Sequence, residues 1–69
     1  MTEEMEDMLN FLKALKVSKE DAKGIALLMN YNNNIIDELN QYLVEKIESH
    51  QVASGGEILT KAMKLIKKK

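Results

Sequence analysis

The segment LLMNYNNNIIDEL, residues 27–39, decides how this chain is read. Its centre, NYNNN at residues 30–34, separates two apolar runs. Asparagine in such a place has two uses. Its amide can read the edge of an adenine, or it can stop one helix in the left-handed region and cap the next. The flanks favour the second use, because apolar residues recur at helical spacing up to Met29 and resume at that spacing from Ile35. Asn32 or Asn33 suits the left-handed residue after a helix. Asn34 suits the next N-cap, with Asp37 three residues on. The asparagines are a hinge between two helices.

Upstream of the hinge, Ala22, Ile25, Ala26, Leu28 and Met29 share one helical face, and Leu27 falls on the opposite, polar side. Gly24 lies beside the apolar face, where a missing side chain either lets a neighbouring helix approach closely or is simply tolerated at about 1 kcal/mol against alanine. This helix starts at VSKED: Ser18 is the N-cap, Asp21 stands three residues later in a variant capping box, and Val17 can staple onto Ala22. A first helix precedes it. Thr2 is its N-cap, acidic residues fill its first turn, and Met5, Met8, Leu9, Leu12 and Leu15 form its stripe, widened by Phe11.

Downstream, Ile35, Ile36, Leu39, Tyr42, Leu43 and Ile47 line one side of a third helix, with Lys46 and His50 near its end. The longest break follows, HQVASGGEIL, where Ser54 and Glu57 make a full S-x-x-E capping box and Ala53 can staple onto Ile58. Two glycines weaken the start of the fourth helix. Its apolar face carries Ile58, Leu59, Ala62, Met63, Leu65 and Ile66, with lysines opposite. The spacing predicts an all-α domain over residues 1–69, a small bundle of four short helices near 3–16, 19–30, 35–49 and 55–67. Three helices make the core, the last is an amphipathic addition, and dimerisation completes the bundle. Leu12, Ile25, Leu39, Leu43 and Ile58 sit mid-stripe and are the expected core.

Residues 15–43, through IALL, NNN and YL, resemble a ubiquitin-associated domain, with the spacing from the asparagine run to the final apolar pair departing from the family's. The resemblance implies a compact three-helix module over that stretch. LKV at residues 15–17 replaces the family's glycine-containing MGF or MGY loop, so no binding residues are carried across.

Composition bounds the rest. Sixty-nine residues without cysteine exclude disulfides and thiolate metal sites. A core of this size supplies roughly 3–5 kcal/mol, and the usual remedy is association. With no proline and 3 glycines, a tight-turned β fold is disfavoured. The net charge of −1 is neutral toward nucleic acid, but acids lead the chain and lysines end it. Arginine is absent, which removes the side chain best suited to clamping phosphate or guanine in two bonds. The longest apolar run, IALLM, is far too short to span a bilayer, and no signal segment is visible; the cytoplasm is the expected location.

Catalysis finds no constellation. His50 is the sole histidine, and its neighbour Ser49 points elsewhere on a helix, so the two are no nucleophile and base. Glu3 and Asp7, four apart, are a solvated first-turn pair rather than a metal site. SGGE lacks the lysine and spacing of a phosphate loop. A helix-turn-helix would present NIIDELNQYLVEKIES to DNA, which is acidic where base contacts are needed, so sequence-specific DNA binding is disfavoured. No cofactor, metal or small-molecule substrate is expected.

The expected function is a small non-enzymatic helical protein–protein interaction module that self-associates. Its expected partner is a second copy or another helical protein, met through Met5, Met8, Phe11 and Leu12 of the first helix and Leu59, Met63 and Ile66 of the last. Methionines suit such an adaptable surface. The alternative is a polyanion or membrane surface bound by Lys61, Lys64, Lys67, Lys68 and Lys69 of ILTKAMKLIKKK.

Overall fold

The computed structural model describes residues 2–68, and among them every regular element is helical. Helix α1 spans Glu3–Ala14, α2 Lys19–Tyr31, α3 Ile36–Glu48 and α4 Gly55–Lys68. A short 3-10 turn, Asn33–Ile35, joins α2 to α3.

Three of the four expected caps form. The hydroxyl of Thr2 accepts from the Met5 amide at 3.2 Å and that of Ser18 from the Asp21 amide at 3.2 Å. Ser54 accepts from the Glu57 amide at 3.1 Å. Each satisfies a helix N–H with no partner in the preceding turn. The reciprocal half of the Ser54–Glu57 box is replaced, because the Glu57 carboxylate accepts from Tyr42 instead.

The asparagine hinge departs from expectation in its details. Asn34 caps nothing, since the 3-10 turn intervenes and α3 begins two residues later. Asn32 does stop α2, but at φ −134° rather than in the left-handed region. Its side-chain amide donates to the Leu28 carbonyl at 3.0 Å, satisfying an acceptor that the helix end would orphan. The left-handed residues are Lys16 (φ 62°) and His50 (φ 55°), after α1 and α3. At Lys16 the Val17 amide donates to Leu12 and the Lys16 amide to Lys13, both at 3.0 Å. At His50 the Gln51 amide donates to Lys46 and the His50 amide to Ile47, at 3.0 and 3.1 Å. Both are Schellman closures. The chain adopts them without glycine, and after α1 Leu12 and Val17 occupy the two positions whose apolar contact accompanies this motif.

Helix α1 lies mainly along α3, while α4 lies mainly along α2 and touches α3 and the 3-10 turn. Met8, Leu12, Ile25, Met29, Ile35, Leu39, Leu43 and Ile58 are wholly inside, including all five residues expected at the core. Among the described residues none of the buried set is polar or charged. The radius of gyration, 10.7 Å, is close to the roughly 11 Å of a compact chain this long. One copy therefore encloses its own core, and shortage of core is not by itself a reason to dimerise.

Candidate functional site

The first consequence of that closure is a correction. Met5, Met8 and Leu12, expected to face a partner, are buried in the chain's own core. The stripe that looked wide enough to serve both purposes is consumed by packing on α3. Phe11, Leu59 and Ile66 are half-buried against the same core, and only Met63 stands out, 49% exposed. The seven residues do not converge on one surface.

A different surface is open. Thr2, Met5 and Leu9 from α1 and its cap, with Lys23, Ala26, Leu27 and Asn30 from α2, line a groove of about 630 Å³ to which Asn33 and Ile36 also contribute. Its floor is apolar because Met5, Ala26 and Ile36 turn inward as parts of core-facing stripes. Its rim carries one charge, Lys23, and two exposed asparagines, Asn30 and Asn33. The hinge asparagines thus divide: Asn32 ends the helix, while Asn30 and Asn33 border a groove. Beside it Leu27 is 59% exposed, and one turn further Tyr31 is 87% exposed. A solvent-facing leucine and tyrosine four residues apart on one helix make a continuous apolar patch. The sequence signal was Leu27 itself, an aliphatic residue on a helix's polar side.

A second depression between α1 and α3 holds Phe11 and Val44 among Glu4, Asp7, Asp37 and Glu45. Across it the Asn40 amide donates to the Glu4 carbonyl at 3.0 Å, leaving the buried Asn40 Oδ1 without a partner. It is the more acidic and less apolar of the two.

The lysines of α4 are not equivalent. Lys61 Nζ sits 5.5 Å from the Tyr42 ring centre, and Lys46 Nζ lies 5.4 Å from the same ring. Lys46 also donates to Gln51 at 2.9 Å and stands 3.6 Å from the Glu57 carboxylate, which accepts from Tyr42 Oη at 3.1 Å. These contacts fasten α4 to α3. Burial, then the hydrogen bond to Glu57 and its negative charge, push the Tyr42 hydroxyl above its ordinary range. Lys64, Lys67 and Lys68 are exposed, and Lys69 lies outside the described residues. The apolar face of α4 is largely occupied, with Ile58, Ala62 and Leu65 buried, so the helix presents its lysines and Met63, not an open apolar face, to any lipid surface. No helix among the described residues is long and apolar enough to cross a membrane. Nor do three or more His, Asp or Glu side chains converge there as metal ligands would.

No protein-family model, curated protein or solved structure matches this chain, so the resemblance to ubiquitin-associated domains rests on the quoted residues alone.

Proposed function

We propose that this chain is a small, non-enzymatic, cytoplasmic interaction module of helical proteins, and that it self-associates. The observation that supports the reading is the apolar patch of Leu27 and Tyr31 beside the α1–α2 groove. A folded domain that hides, wholly or in part, every other large apolar side chain of α2 leaves these two in water. Burying a leucine stabilises by about 1.5–3 kcal/mol, and an aromatic ring brings a large area with little rotamer entropy to lose. The surface has shifted from α1 and α4, where the apolar stripes are buried internally, to the outer side of α2.

Sedimentation equilibrium of the full chain over a wide concentration range tests this. Mass that rises with concentration, in both low and high salt, is the expected result, because apolar burial is not screened. A monomeric mass throughout would overturn self-association. The exposed Lys64, Lys67 and Lys68 favour a second reading, contact with a polyanion. Under that reading the chain binds heparin at low salt and is released steeply as salt rises; passage without retention would end it.

A further inference from the structure

The outer face of α2 carries a second pattern, on the side away from the core pair Ile25 and Met29. Glu20, Gly24, Leu27 and Tyr31 follow one another at spacings of four, three and four, the alternation that places side chains along a helix–helix seam. All four are exposed. Gly24 is the unusual member. It is helical without a positive φ, and a Cβ built on it would meet nothing within 4 Å. Neither conformation nor crowding inside this chain calls for glycine there, and a helix interior disfavours it. Three residues away stands Leu27, the largest aliphatic side chain left in solvent on this helix. A hole and a knob lie on one seam.

Deepening the self-association reading and resting on it, we propose that two copies pair through an antiparallel α2–α2 contact in which Leu27 of each seats over Gly24 of the other. A two-fold axis crossing the helix between Gly24 and Leu27 makes both contacts at once, so the patch is self-complementary and the assembly closes as a dimer. The same axis sets Tyr31 of each copy opposite the first turn of α2 in the other. There Glu20 can accept from the phenol hydroxyl, and Lys23 flanks the ring as a cation over its face. These polar contacts accompany the steric fit, and the two helix dipoles run antiparallel. A parallel pairing would stack Leu27 on Leu27 and leave Gly24 facing Gly24, wasting both features. The seam is only three turns long, well below a standard interface of about 800 Å² per partner, so association is weak and calls for concentrations from about 10 μM to 1 mM.

The decisive variant is Gly24→Gln. Glutamine is the better helix former, so the dilute monomer should melt a few degrees higher, roughly 4–8 °C. The same side chain fills the space that Leu27 needs, so the dimer should dissociate at least tenfold more readily by sedimentation equilibrium. Loss of association in a variant whose monomer is more stable cannot come from unfolding. Met63→Glu, on the exposed side of α4, should leave the association constant unchanged. If the wild-type chain associates and Gly24→Gln associates equally well, this geometry is overturned while self-association stands. Loss of the dimer in Met63→Glu alone would overturn it too. If the wild-type chain stays monomeric throughout, both fall.

Discussion

Replacing Gly55 by alanine should destabilise this domain, while the same change at Gly56 should not. The two glycines are adjacent in the first turn of α4, and neither has a positive φ, so conformation does not distinguish them. Space does. Gly55 is buried, and a Cβ built on it would lie 2.5 Å from Asp21 Cβ and 2.6 Å from Asp21 Cγ. Carbon atoms normally keep about 3.5–4.0 Å apart. Rotating the Asp21 carboxylate away would not relieve the clash, because Cβ is fixed to the α2 backbone. The start of α4 must move off α2, taking Ala53 and Ile58 with it. Such overpacking costs about 1–3 kcal/mol. Against a margin of roughly 3–5 kcal/mol for a domain this small, that is a large fraction. The melting temperature should fall by roughly 4–8 °C for each kcal/mol. Gly56 is exposed, and a Cβ added there would meet nothing within 4 Å. Alanine at that position lowers chain entropy in the unfolded state and stabilises by about 0.4–1 kcal/mol. Urea titrations followed by circular dichroism measure both, as shifts in midpoint at constant slope. A Gly55→Ala midpoint equal to or above wild type would refute the close approach of α4 to Asp21.

Leu39→Ala, at a wholly buried position in α3, should cost about 2–5 kcal/mol, and an unchanged melting temperature would contradict its place in the core. Lys16→Gly and His50→Gly should each stabilise by about 1 kcal/mol, since both residues are held at positive φ; no gain in urea midpoint would refute the left-handed closures. Asn32→Ala removes the bond to Leu28 and should cost about 0.5–1.5 kcal/mol, whereas Asn34→Ala should stay within about 0.5 kcal/mol of wild type. Equal losses at the two asparagines would restore Asn34 as a cap. For Tyr42, the folded chain holds the phenol proton more tightly than the unfolded chain, whose value lies near 10.0. Its contribution is complete below that pH and declines as pH rises through the higher folded value. Between about pH 9 and 11, urea midpoints should therefore fall less in Tyr42→Phe than in wild type, and parallel losses would dismiss the Glu57 contact.

Residue by residue, what could be read without a structure is what neighbours within four positions decide. Thr2, Ser18 and Ser54 satisfy amides three residues ahead, so their roles were visible as S/T-x-x patterns. The four helices and the mid-stripe core residues Leu12, Ile25, Leu39, Leu43 and Ile58 follow from periodicity, which is also local. The hinge shows where that reach ends. Spacing gave Asn32 or Asn33 the end of α2 and Asn34 the start of α3; Asn32 ends α2 through its amide on the Leu28 carbonyl, while the intervening 3-10 turn leaves Asn34 no helix to cap. Lys16 and His50 entered the left-handed region because the helix-end carbonyls, and after α1 the Leu12–Val17 pair, are satisfied by that closure, a gain no propensity for lysine or histidine announces.

Surface assignment needed the tertiary structure altogether. Met5, Met8 and Leu12 read as a stripe wide enough for a partner, yet α1 lies along α3 and encloses them inside the chain. Leu27 read as an aliphatic residue on a polar side and became the centre of the exposed patch, with Gly24 one turn away. Gly55 and Gly56 read alike, and only the position of Asp21 across the helix boundary separates them. By itself the sequence determined four helices, three of their caps and the middle of the core, because hydrogen bonds and apolar spacing within a turn depend on nearby residues. Tertiary structure decided which apolar faces remain in water and which glycine is crowded, because both depend on contacts between segments tens of residues apart.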